Sequence, residues 1–87
     1  MATVIVNHRV NNYSSWRKIY DADVARRDAA GMKQLAVGES SDDPGNVYII
    51  WEVGDVAAFN KMLGDPDLQK TMQEAGVISA PQAIILK

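Results

Sequence analysis

The sequence predicts an α+β fold in the order β-α-β-β-α-β, with the second helix broken in two. Three observations carry this. Segments with strand-like alternation and segments with helical period follow one another with no repeat or linker between them. Capping and turn residues stand at the boundaries of these segments. The stretch VYIIWEV, Val47 to Val53, is apolar on both faces of a strand, with Glu52 its only charge, so something must cover each side.

Thr3 to Val10 alternates as a strand, with Val4, Val6, His8 and Val10 on one face and Thr3, Ile5, Asn7 and Arg9 on the other. NNYSS supplies the cap of the first helix, and Asn12 is the preferred N-cap. Tyr13, Trp16, Tyr20, Val24 and Arg27 then form one inward stripe, with Ile19 beside it. Gly31 fits the left-handed position that ends such a helix. Met32 to Ser40 is a second strand with a weaker pattern. DDPGN, Asp42 to Asn46, is dense turn chemistry and makes a hairpin into VYIIWEV. Asp55 caps a short helix with Val56, Phe59, Met62 and Leu63 inward, and Gly64 ends it. Asp65-Pro66 restarts a helix, with Asp as N-cap and Pro at the first helical position. Leu68, Met72 and Ala75 face the core and Gly76 stops the helix. QAIILK is the last strand, again apolar on both faces.

This order is the ferredoxin-like arrangement, a four-stranded antiparallel sheet with all helices on one face. Residues 1–87 read as a single domain. The bare sheet face should be polar, yet the third and fourth strands supply apolar residues to both sides. An exposed apolar face of roughly several hundred Å2 reaches the limit that monomers tolerate. A second copy, sheet against sheet, is the economical cover, so a homodimer is expected.

Composition narrows the function. Small domains compensate for modest cores with disulfides, metals or oligomerisation. The 87-residue chain has no cysteine and one histidine, which excludes disulfides and a multi-histidine metal site within one chain. Nine basic and eleven acidic residues give a net charge of −2 with no basic block, so no nucleic-acid partner is expected. No apolar run approaches a membrane span, and the N-terminus is too short and polar for a signal peptide, so a cytoplasmic protein without a membrane partner is expected. No P-loop, Ser-His-Asp or dinucleotide fingerprint is present. The acidic turn at Asp42-Asp43 has too few spaced ligands for a calcium loop.

The chain resembles the dimeric α/β-barrel superfamily, and within it the antibiotic biosynthesis monooxygenase-like group and the small proteins labelled cyclases. HRVNNYSSW (His8 to Trp16), RDAAGMK (Arg27 to Lys33), DDPGNVYIIWEVGD (Asp42 to Asp55), DPDLQKTMQEAGV (Asp65 to Val77) and Pro81 carry the resemblance. It implies a homodimer with a cavity between sheet and helices in each subunit, and no cofactor. It also implies a small-molecule ligand, with cofactor-independent oxidation of an aromatic compound or cyclisation of a polyketide-like one as the activities. The alternative is a non-catalytic ligand-binding or structural homodimer of the same fold. The chain departs from the monooxygenase pattern in one respect: Asn60 stands in the helix after the third strand, where those enzymes often carry a histidine. Haem-degrading relatives use a helical histidine, whereas the histidine here is on the first strand.

His8 is the candidate catalytic acid/base, because a neutral imidazole can exchange a proton near pH 7. The competing reading is a hydrogen-bonded histidine at a sheet end. Arg27, on the inward stripe, can bind an anionic substrate, or it can be a helix-end arginine favoured by the dipole there. Arg26 is expected to face solvent. Trp16, Tyr20 and Tyr48 are candidates to line an aromatic pocket, against a reading as core packing. Glu52 is either a half-buried acid/base beside Tyr48 or an exposed strand-end charge. Tyr48 and Trp51 lie on opposite faces of their strand, so one set borders the helices and the other the partner.

Overall fold

Alternation fixes what each strand buries. The structure, a computed structural model, describes residues 2–86. Strand β1 (Ala2–Arg9) sends Val4, Val6 and His8 to the helices, and β3 (Asn46–Val53) sends Val47, Ile49, Trp51 and Val53 the same way; all seven are buried. With β2 (Met32–Glu39) and β4 (Gln82–Leu86) they form a four-stranded antiparallel sheet in the order β2-β3-β1-β4. This is the ferredoxin-like βαββαβ fold. Val10 lies beyond β1 and bridges to Val77. Lys87, the last residue of the expected final strand, lies outside the described residues.

The weak pattern of β2 has a local cause. Gln34 pairs with Trp51 and Ala36 pairs with Ile50, so Leu35 is an extra residue in a bulge and is 49% exposed. The bulge reverses the strand's parity. Met32 and Gln34 face the helices before it, and Val37 does so after it.

The helices begin where short polar side chains satisfy free amide groups. Asn12 accepts from Ser15 N–H at the start of α1 (Tyr13–Ala22), and Asp55 accepts from Ala58 N–H at the start of α3 (Val56–Leu63). Asp65 accepts from Asp67 N–H ahead of Pro66 in α4 (Pro66–Glu74). The expected single first helix is in fact two. Asp23 adopts φ −92° and ψ 17°, its N–H is shared between the carbonyls of Ile19 and Tyr20, and α2 (Val24–Ala29) starts afresh. The break turns Val24 outward, to 49% exposure, against the expectation that it faces the core. Arg27 remains inward. Gly31 and Gly76 close α2 and α4 with φ of +72° and +83°.

The core lies between sheet and helices. Phe59 of α3 is fully buried against Trp51, and Trp16 and Tyr20 of α1 complete an aromatic layer. Among the described residues, the opposite sheet face carries no helix. Registers place Ile5, Tyr48, Ile50, Ile84 and Leu86 there, with Tyr48, Ile84 and Leu86 between 45% and 58% exposed. No helix among the described residues is long and apolar enough to cross a membrane.

Candidate functional site

A cavity of about 70 Å3 opens between the sheet and the four helices. It exists because α4 does not seal the core. No side chain within that helix is fully buried, and Leu68 and Met72, expected inward, are only half-buried against the cavity. Val6, His8, Ile49 and Trp51 form its floor; Trp16, Tyr20, Asp23, Arg26 and Arg27 form the α1–α2 wall. Met62, Leu63, Thr71 and Pro81 contribute to the rest.

An aromatic ladder runs along this wall. The His8 and Trp16 rings meet edge to face at 5.4 Å, and Trp16 stacks on Tyr20 at 4.9 Å. Tyr20 and Trp51 follow at 6.5 Å. The Tyr20 hydroxyl accepts from Trp51 Nε1–H at 3.1 Å and donates to Gln34 Oε1 at 2.9 Å. Burial raises the Tyr20 phenol above its ordinary value, with the nearby Arg27 charge acting in the opposite direction. The hydroxyl is therefore a neutral hydrogen-bonding group at neutral pH.

His8 is 5% exposed, and its Nδ1 is buried without a hydrogen-bond partner. Burial lowers its pKa below the ordinary 6.5, so the ring is neutral near pH 7. A buried polar atom left unpaired is uncommon, and here it belongs to a ring that lines a cavity.

Arg27 is buried to 8% exposure, with its guanidinium carbon 3.8 Å from the centroid of the Tyr20 ring. Among the described residues, no carboxylate lies within 4 Å of it. Its guanidinium nitrogens are not among the buried unpaired atoms, and stacking on the Tyr20 face contributes about 0.5–2 kcal/mol. Its neighbour Arg26 also lines the cavity, contrary to the expectation that it faces solvent. Arg26 Nε pairs with Asp23 at 3.2 Å, whereas its buried Nη1 has no hydrogen bond and stands 3.9 Å from Asp65 Oδ2. The helix break at Asp23 brings both arginines to one wall, and the Asp23-x-x-Arg26 spacing was the sequence signal for it.

Of the six residues singled out in the sequence, His8, Trp16, Tyr20 and Arg27 converge on the cavity. Tyr48 and Glu52 do not. They lie on the open face of β3, with the sheet between them and His8, which corrects the expectation that they share a pocket with it. Trp51 takes the aromatic place assigned to Tyr48. Asn7 and Arg9 are also on the open face, where Asn7 donates to Asn46 Oδ1 and to the Val47 carbonyl, and Arg9 pairs with Asp43. No group of three His, Cys, Asp or Glu among the described residues is placed to hold a metal ion.

The chain shares its fold with proteins of the antibiotic biosynthesis monooxygenase-like type. It belongs to the family described as Domain of unknown function (DUF3764), whose model matches residues 1–83. Three solved structures illustrate the shared fold. Protein Atu4242 from Agrobacterium tumefaciens superposes with a TM-score of 0.73 at 14% identity, covering 100% of this chain and 92% of that one. A protein described as an antibiotic biosynthesis monooxygenase gives 0.67 at 17% identity, covering 100% and 97%. SnoaB, a cofactor-independent oxygenase from Streptomyces nogalater, gives 0.70 at 13% identity, covering 99% and 90%. No curated protein matches the chain in sequence. At these identities the likeness is one of fold.

Proposed function

We propose that the protein is a homodimer whose subunits each bind a small aromatic molecule in the helix-side cavity, with His8 as the acid/base that acts on it. One observation carries the reading: a neutral, 5%-exposed imidazole with an unpaired Nδ1 stands in a cavity walled by aromatic rings. Nδ1 itself has almost no accessible surface, so a ligand hydrogen bond to it would need the ring to turn toward the cavity. Trp16 and Tyr20 would stack on the ligand, and Arg27 would orient it. The chemistry would rest on holding a planar substrate and moving one proton, which a residue tuned below pH 7 can do as a base. The shared fold with a cofactor-independent oxygenase is consistent with such chemistry.

The dimer follows from the other face. Ile5, Tyr48, Ile50, Ile84 and Leu86 form an apolar sheet surface with no helix over it. A second copy of the same surface would cover it, as in a C2 interface in which the same patch serves both subunits.

Protein purified from its native host and extracted for mass spectrometry would identify a bound compound, and incubation of that compound with oxygen would test turnover. On a compound that is turned over, His8→Ala is expected to lose about 10²–10⁴-fold in rate. Unchanged turnover would remove His8 from the chemistry.

A further inference from the structure

We infer that the ligand of this cavity is a small single-ring carboxylate, held by its charged end at Arg27. The inference rests on the reading of the cavity as a ligand site and adds the ligand's charge and size.

The charge follows from the residues facing the cavity. Asp23, Arg26 and Arg27 are the charged groups in its lining, one anion against two cations, and His8 is neutral. Asp23 is already committed to Arg26 at 3.2 Å. Arg27, a permanent cation, is left with an aromatic face and no carboxylate among the described residues. Arg27 lies in the last turn of α2, where the helix dipole favours a cation by only about 0.3–1 kcal/mol and supplies no carboxylate. Arg26 has Asp23 at 3.2 Å and Asp65 at 3.9 Å, so Arg27 is the cation of this wall without a carboxylate among the described residues, and a single negative charge would pair it. The planar fork of a guanidinium fits a carboxylate with two parallel hydrogen bonds.

The body of the ligand follows from the remaining surface. Trp16, Tyr20, Ile49, Trp51 and Met72 give it an apolar, largely aromatic lining that suits a ring. The volume of about 70 Å3 corresponds to on the order of five water positions. Pockets for drug-sized ligands run to about 300–1,000 Å3. A single ring with one carboxylate is the scale nearest that volume.

Benzoate and its neutral isostere benzamide test this at constant ionic strength, by calorimetry and by amide chemical shifts, on wild type, Arg27→Gln and Arg27→Lys. The wild type is expected to prefer benzoate by at least about tenfold, which is ~1.4 kcal/mol. Arg27→Gln should reduce that preference to less than about threefold, and Arg27→Lys should restore part of it. Far-UV circular dichroism checks that each variant folds, and Arg27→Lys keeps the test informative should Arg27→Gln not fold. Equal binding of benzoate and benzamide by wild type would overturn the anion assignment and leave the cavity as a ligand site. An undiminished preference in Arg27→Gln would overturn the role of Arg27. Absence of binding by both probes at millimolar concentration would overturn this inference and the ligand-site reading together.

Discussion

Replacing Tyr20 with Phe removes one oxygen atom and leaves the ring that stacks on Trp16 and carries Arg27. Two hydrogen bonds are lost, and they are unequal. Trp51 Nε1–H is a donor in a side chain that is 5% exposed, and it loses its acceptor at 3.1 Å. A buried donor left unsatisfied costs about 1–3 kcal/mol. Gln34, the other partner, is on an exposed residue, so water replaces the phenol at little cost. Part of the loss is offset because the buried phenol oxygen no longer needs a partner itself, and the net expectation is a destabilisation of about 1–2 kcal/mol. For a domain of this size that lowers Tm by roughly 5–15 °C. Thermal unfolding followed by Trp fluorescence at fixed protein concentration measures it, with Gln34→Ala as the companion, expected to change stability by less than about 0.5 kcal/mol. A Tyr20→Phe variant within about 0.3 kcal/mol of wild type, or a Gln34→Ala variant that costs as much as Tyr20→Phe, would refute the reasoning.

Further outcomes follow from the same geometry. Phe59→Ala empties a fully buried ring site beside Trp51 and should cost about 3–5 kcal/mol in urea unfolding; a cost below about 1 kcal/mol would mean that the site collapses or is not packed as described. Burial holds the His8 pKa below its ordinary 6.5, so on acidification the unfolded chain takes up the proton first. Stability is therefore intact above about pH 6.5 and declines below it until the folded imidazole titrates. Denaturant midpoints measured across that range should lose this slope in His8→Phe; an identical slope in both proteins would contradict it. Asp43, lowered by its hydrogen bond to Arg9, acts only at more acidic pH, below its ordinary 3.8, and does not confuse the measurement. Ile84→Glu puts a charge on the open sheet face at a residue 58% exposed in the single chain. Sedimentation equilibrium should then change from twice the 9.5 kDa chain mass to that mass; the same mass for both proteins would argue against the sheet-to-sheet dimer.

Much of the fold was legible because it is decided locally. Asn12, Asp55 and Asp65 cap the helices they precede, and Gly31, Gly45 and Gly76 adopt the positive φ that their turns require. Other features were not local. VYIIWEV is apolar on both sides, so its pattern cannot say which side meets the helices; packing around Phe59 decides for Trp51, and Tyr48 and Glu52 go to the open face. The bulge at Leu35 interrupts alternation and so made β2 look irregular. The break at Asp23 changes the helical phase, which put Val24 inward and Arg26 outward in a reading that assumed one continuous helix. The candidate site was largely legible: His8, Trp16 and Tyr20 follow from periodicity on unbroken elements, and Arg27 keeps its inward place across the break. The second arginine depended on backbone geometry that no period reveals.

In the proposed function the two faces of the sheet have different tasks, a ligand on the helix side and a second copy on the open side. Chemical-shift mapping with a neutral aromatic probe such as benzamide separates them most directly. Shifts are expected to concentrate on the indole N–H of Trp16 and Trp51, the methyl groups of Met62 and Met72 and the His8 ring, with Tyr48 and Ile84 unmoved. Shifts confined to Tyr48, Ile84 and Leu86, or none on the helix side at saturating probe, would contradict that division of tasks.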